Sequence, residues 1–481
     1  MSATEEANKL IFDIDNSDDI QQYKLNDGFL LWLQVRYLVF KSIVNSFEIS
    51  KIESSGVHKQ TGRFKAFCQK LNYYYLTLLR YNYLFVRKEY EGLVFSSTLG
   101  STHVTAKNAV ESRINYFFSK KKKIFNLYFS QNGKYRLPYV NPFSLADSIY
   151  VSSMLKQKIF KSKMSEEELW QVTGLISFLN AKIGNYLQSD EFEHIQNELI
   201  FFYRNYYSVN KALVTLFGQT KPKFIVVEDA NYGGSIITQI LFVASKLNII
   251  TIEVQHGILD IAYKYGKTLQ EAPFFRDHKT KYLLTYGKYW NHEVDSTTTG
   301  FDIGYPYLEE KMLMMKSKAK KDILFVSQGS ITDSLIDIAI GLSRKLGDTY
   351  RIIYRLHPNE IGETTKYNKF RPYKNISISD SGDIYNLMET CQFVIGSYSA
   401  VMFEALLFKK PAFIQKNQYS DVYIPENMGV RFMDEAELFT LINKNEPIDQ
   451  QDAISEFWTV GWKSRMDQFY KLIYSKETCS V

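Results

Sequence analysis

The chain has 481 residues, is 45% hydrophobic and 23% charged, and carries a formal net charge of +6, a globular composition long enough for two to three domains. Charge this modest, with no reader motif, argues against a nucleic-acid-binding protein. Cys68, Cys391 and Cys479 stand far apart in no metal-binding spacing, which argues against a disulfide framework and for thiols in a reducing compartment.

The acidic N-terminus lacks a basic segment followed by an apolar one, so no signal peptide is expected, and no apolar run reaches the ~18 residues that span a bilayer. A cytoplasmic protein is the expectation. Residues 28–47 are apolar nearly all round and predict a helix packed inside the protein. Between Glu53 and Glu89 there is no acidic residue, and Arg63, Lys65, Lys70, Arg80, Arg87 and Lys88 interleave with Phe, Tyr and Leu. Residues 1–90 are therefore read as a helical extension. Two readings of 61–90 stand: a helix on an anionic membrane surface at the inner face of the plasma membrane, or one packed on the first domain with its lysines in water.

Residues 91–305 read as an α/β domain. Gly92–Ser96 opens it as a strand, Lys120–Lys123 precedes a strand at Ile124–Phe129, and residues 145–220 are mainly helical, with a capping-box spacing at Ser165 and Glu168. Strands at Lys223–Val227 and Asn248–Gln255 end in Glu228-Asp229 and His256-Gly257, and Lys281–Thr285 is a further strand. Thr297–Lys321, with Gly300, Gly304 and Pro306, reads as a loop-rich hinge. Residues 306–450 repeat the rhythm, with strands at Asp322–Val326, Tyr350–Leu356, Asn375–Ser379 and Phe393–Ile395, and 451–481 is a helical segment crossing back. The fold class is α/β: two Rossmann-like parallel-sheet domains facing a cleft, preceded by the helical extension.

In parallel α/β sheets ligands bind outside the carboxyl ends of the strands. In the second domain that rule collects Ser327 and Gln328, Arg355 and His357, Ser379 through Gly382 with Ser381, and Ser397 and Ser399. These small, hydroxyl-bearing or basic residues suit a diphosphate and its sugar. The stretch Phe393–Pro411 is a strand, a hydroxyl-rich turn and a helix start whose free N–H groups favour phosphate, and either serine can cap that helix. Glu404, one turn in, can accept a ribose hydroxyl or pair with Lys409 or Lys410. In the first domain the rule collects Glu228, Asp229 and His256, candidates for a general base. There is no P-loop, nucleophile elbow or paired metal-ligand spacing, so no metal and no resident cofactor are expected.

Thr251–Gly257 (TIEVQHG), Tyr354–Pro358 (YRLHP) and the run from Ser379 to Pro411 resemble bacterial surface-polysaccharide glycosyltransferases of the GT-B fold. The nearest groups are capsule Kdo transferases, sialyl- and polysialyltransferases, and CDP-glycerol glycerophosphotransferases, over roughly residues 220–415. The resemblance implies an inverting, metal-independent transferase with a nucleotide-activated donor, often CMP- or CDP-linked, and a glycan or lipid-linked glycan acceptor of a capsule or lipopolysaccharide. It implies donor-phosphate contacts from His357, Ser397 and Ser399. His256 matches the His-Gly proposed as base in the glycerophosphotransferases, and Glu228-Asp229 the acidic pair of the sialyltransferases, so the base stays open between them. Ala230 departs from the Gly that follows that pair, and Gln255 from the aromatic residue before His-Gly, which argues against CDP-glycerol as donor. Two rival functions are a nucleotide-sugar 2-epimerase and a non-catalytic subunit of a polysaccharide assembly complex.

Overall fold

In the computed structural model the chain divides into two compact units. Unit 1 comprises Met1–Leu284, Asn291–Phe301 and Phe469–Val481; unit 2 comprises Thr285–Trp290 and Asp302–Gln468. The residues described are 3–48, 63–97, 103–104, 109–111, 113–118, 123–130, 133–160, 164–228, 230, 236–255, 257–259, 273–292, 294, 297–315, 320–362, 365–444 and 451–475.

The first sheet contains β1 (Gly92–Ser97), β4 (Ile124–Phe129), β5 (Phe143–Leu145), β6 (Phe224–Val227), β7 (Ile250–Val254), β8 (Tyr282–Thr285) and β9 (Thr299–Asp302). Its order is β5-β4-β1-β6-β7-β8-β9, and a separate two-stranded sheet pairs β2 (His103–Val104) with β3 (Val110–Glu111). The ladders from β5 through to β8 are all parallel. The strands are short and buried on both faces, which is why they read as apolar runs.

The apolar stretch near residue 30 forms the helix Trp32–Glu48, and Phe29, Leu31, Val35, Val39 and Ile43 lie in a core shared with the helices Glu166–Ile183 and Ser189–Thr220. Arg36 is 2% exposed inside that core. Asp15, 0% exposed, holds it with a 2.7 Å ion pair and also accepts from Trp32 Nε1 at 2.7 Å. The Ser165 capping box forms: Ser165 N–H donates to Glu168 at 2.6 Å, and Glu168 N–H to Ser165 Oγ at 3.2 Å.

The stretch expected as a hinge is more ordered than its glycines and proline suggested. It holds β9 and a helix, Pro306–Met314. Gly304 takes φ +85°, which an L side chain rarely adopts, and Pro306 starts the helix, where its missing N–H costs nothing.

The second sheet contains β10 (Asp322–Val326), β11 (Arg351–Arg355), β12 (Ile376–Ser379), β13 (Phe393–Gly396), β14 (Ala412–Gln415) and β15 (Val430–Phe432), in the order β12-β11-β10-β13-β14-β15. All five ladders are parallel. Both units are thus Rossmann-like parallel-sheet domains, the α/β class expected from the sequence. Trp458 Nε1 donates to the Phe403 carbonyl at 2.7 Å, and Phe457 stacks edge-on against Phe403, so residues 451–468 brace the helix Ala400–Leu407 within unit 2. In unit 1, Phe469 packs on Tyr282, and Tyr470 on Phe118 and Phe224. No described helix is long and apolar enough to cross a membrane.

Candidate functional site

In unit 2 the strand order reverses between β10 and β13. The connections leaving them diverge, one into the helix Thr332–Leu346 and the other into Ala400–Leu407, the arrangement at which parallel α/β sheets form a ligand crevice at their carboxyl ends. Phe325 pairs with Ile395, so Ser327 and Ser397, each two residues further on, leave the sheet at one level. Ser327 is fully buried, with Oγ 3.3 Å from the Tyr354 hydroxyl.

Of the two serines expected to cap the helix, Ser399 does so: it has extended backbone, and its Oγ accepts the Val401 N–H at 3.3 Å. Ser397 is fully buried and turns the other way, donating to the Gln415 carbonyl at 3.3 Å and accepting from Asn417 Nδ2 at 2.9 Å. It joins the ends of β13 and β14. Gly396, the last residue of β13, lets Met402 of the following helix pack close, because a Cβ there would lie 2.7 Å from Met402 Sδ. Glu404 is 5% exposed, and Lys410, a partner weighed for it, donates instead to the Glu389 and Cys391 carbonyls at 2.9 Å each.

His357 follows β11 by two residues. Its backbone N–H donates to Glu360 Oε2 at 3.0 Å, and Thr332 Oγ1 donates to Glu360 Oε1. Burial pushes the Glu360 carboxyl up, but bonds from Thr332, Ser327 and the His357 amide outweigh it, and the group lies below its ordinary value. Burial lowers the His357 pKa, with the Glu360 charge opposing. Burial thus disfavours the imidazolium beside the Glu360 carboxylate, and an anionic phosphate approaching His357 favours proton uptake.

Arg355 is engaged locally. Its guanidinium donates to Ser379 Oγ at 3.0 Å, to the Gly382 carbonyl at 2.9 Å and to the Ser381 carbonyl. It pins the turn Ser379–Gly382 to β11, and Gly382 there has φ +81°. Ser381 is exposed on that turn, and Gln328 is half-buried, its carbonyl 3.1 Å from Thr332 Oγ1.

In unit 1 the strand order reverses between β1 and β6. Glu228 follows β6 directly, and its Oε2 accepts from both N–H and Oγ of Ser97, the last residue of β1, at 3.2 Å each. The carboxylate thus bridges the two strand ends where a ligand crevice is expected. Asp229 and His256, the other candidate bases, lie outside the described residues. Gln255, which precedes His256, is fully buried and donates to the Gly257 carbonyl at 2.8 Å.

Sequence reasoning missed three participants. Glu360 is the hub behind His357, and its signal was the His-Pro-Asn-Glu spacing, which puts a carboxylate three residues after the amide it bonds. Asn417 caps the next helix and also holds Ser397. Ser97 orients Glu228 from a strand 131 residues away, which no local pattern announces. Among the described residues no group of three or more His, Cys, Asp or Glu is arranged to hold a metal ion.

The crevice lies within a segment with known relatives. Residues 322–449 match the glycerophosphotransferase family. Its full description is CDP-glycerol:poly(glycerophosphate) glycerophosphotransferase, and the matched segment takes in β10 through β15. The description is that of a transferase drawing on a nucleotide-activated donor, and the likeness is confined to residues 322–449 within unit 2. No curated protein matches the sequence. Among solved structures, UDP-GlcNAc 2-epimerase from Methanocaldococcus jannaschii is 11% identical with a TM-score of 0.47, over 80% of this chain and 99% of that one. The wall teichoic acid polymerase TagF is 15% identical with a TM-score of 0.45, over 86% and 99%. At that similarity neither speaks to the chemistry.

Proposed function

We propose that the chain transfers a sugar from a nucleotide-activated donor to a hydroxyl of a growing cell-surface glycan, with the donor phosphates held at the β10/β13 crevice of unit 2. The observation that carries this reading is the convergence there of Ser327, the Glu360-backed His357 and the Ser399-capped helix start. The helix start contributes N–H groups and a partial positive charge, and His357, taking up a proton as the phosphate approaches, contributes an imidazolium N–H, so the leaving group's charge is met without a resident cofactor. Arg355 acts by positioning the turn Ser379–Gly382, and Ser397 by fixing the strand ends. Glu404 and Gln328 remain candidates for donor contact.

In a single displacement, a general base takes the proton of the acceptor hydroxyl. The oxygen then bonds to the anomeric carbon, the bond from that carbon to the leaving phosphate breaks, and the configuration inverts. Glu228, oriented by Ser97, supports the acidic pair Glu228-Asp229 as that base, and His256 is the alternative. No metal ion is assigned a part.

A second reading is favoured by the family match to residues 322–449. There the same hydroxyl attacks phosphorus of CDP-glycerol, CMP leaves, and glycerophosphate is transferred. A donor panel separates the two. CMP released from CDP-glycerol in the presence of a glycerophosphate acceptor marks phosphoryl transfer. Acceptor-dependent release of nucleotide from a CMP-, UDP-, GDP- or TDP-sugar marks glycosyl transfer. Conversion of UDP-N-acetylglucosamine with no acceptor indicates an epimerase, and donor binding without turnover across the panel indicates a non-catalytic subunit. Either of these last two results overturns the proposal.

A further inference from the structure

The segment from residue 63 to 88 presents a face that is exposed among the described residues of unit 1. The helix Arg63–Tyr74 runs into a π-helical turn, Tyr75–Arg80, and then a short turn at Tyr83–Phe85. One side is anchored. Leu76 packs with Tyr128, Tyr139 and Leu145, Tyr83 and Val86 enter the sheet core, and Tyr83 N–H donates to Ser148 Oγ at 3.1 Å. The other side is apolar and exposed: Phe67 by 58%, Leu71 by 53%, Tyr75 by 51% and Leu79 by 67%, at four-residue steps, continued by Leu84 and Phe85. A four-residue step in an α-helix overshoots one turn by about 40°. The wider π turn reverses that drift for the last step, so the four side chains keep to one stripe.

Lys70, Arg80, Arg87 and Lys88 are exposed around this stripe, and no acidic residue intervenes before Glu89, which is paired with Lys221. We propose that this face docks on an anionic phospholipid surface, the apolar stripe entering the headgroup boundary and the cations meeting lipid phosphates. The charge selects this occupant: a second copy would set like charges against each other, whereas an anionic bilayer complements them.

The test uses the full chain and sedimentation with vesicles of phosphatidylglycerol or phosphatidylcholine. Binding is expected to phosphatidylglycerol only, and to weaken in high salt. K70Q/R80Q/R87Q is expected to reduce it on the order of 100-fold, since each cation near such a surface changes partitioning about fivefold. L71S/L79S/F85S is expected to reduce it at least about tenfold. Both variants alter exposed side chains and should keep the wild-type melting temperature. An environment-sensitive dye on the exposed Cys68, in protein carrying Cys479→Ser, should shift to the blue on adding phosphatidylglycerol vesicles. No binding to phosphatidylglycerol, or equal binding by wild type and both variants, overturns the proposal. So does a wild-type dimer that the L71S/L79S/F85S variant dissociates, with no vesicle binding.

Discussion

Replacing Glu360 with Gln tests whether the carboxylate behind His357 organises the crevice. The side chain is 3% exposed and accepts from the Thr332 hydroxyl and the His357 N–H. Gln keeps the shape and one acceptor oxygen but removes the charge and turns an NH2 toward a former donor. Thr332 can redirect its hydroxyl to the Gln328 and Gly329 carbonyls, 3.1 and 3.2 Å away, so its share of the loss is small. What remains is about one charge-assisted bond in a buried setting, about 2 kcal/mol. For a domain the size of unit 2 that lowers the melting temperature by about 4–8 °C. The charge also supports protonation of His357 against burial, so its removal should weaken donor binding most near pH 6. Calorimetric melting of the full chain and donor titration at pH 6 and 8 read both effects. A melting temperature within about 1 °C of wild type, with unchanged donor affinity, would refute the reasoning.

Ser399→Ala removes the cap of the helix Ala400–Leu407 and should cost about 1 kcal/mol, whereas Ser399→Gly should cost only a few tenths; equal urea midpoints for the two variants would count against a capping role. Burial lowers the His357 pKa from 6.5, so the folded state binds fewer protons there than the unfolded one, and this group's contribution to stability rises with pH toward and through 6.5. Donor binding has the opposite sign: a phosphate that favours the imidazolium binds less tightly as pH rises above the free-state pKa, and a flat pH profile, or a fall that persists unchanged in a His357 variant, would contradict the contact. Asp15→Ala removes the carboxylate that pairs with the buried Arg36 guanidinium and should cost about 3–5 kcal/mol in urea unfolding; a loss below about 1 kcal/mol would show that the pair is not held as described.

The strands of both sheets were legible because parallel, doubly covered strands are short apolar runs, and the strand-end rule led from them to His357, Ser399 and Glu228. Bonding partners were not legible. Ser397 and Ser399 look alike in sequence, and what separates them is Asn417, a tertiary neighbour twenty residues on. Arg355 reads as a phosphate ligand until the turn Ser379–Gly382 is folded against it. Gly300, Gly304 and Pro306 read as breakers, yet they accommodate β9 and start a helix. The basic aromatic segment left two readings open, and its exposed stripe is visible only once its other side is seen to be anchored.

Hydrogen–deuterium exchange of the full chain, with and without a donor nucleotide found by thermal shift, tests the central assignment most directly. Donor should protect residues 327–331, 356–360 and 397–402, and His357→Ala should abolish that protection with the fold intact. Protection elsewhere, with these three segments unchanged, would contradict a donor site at the β10/β13 crevice.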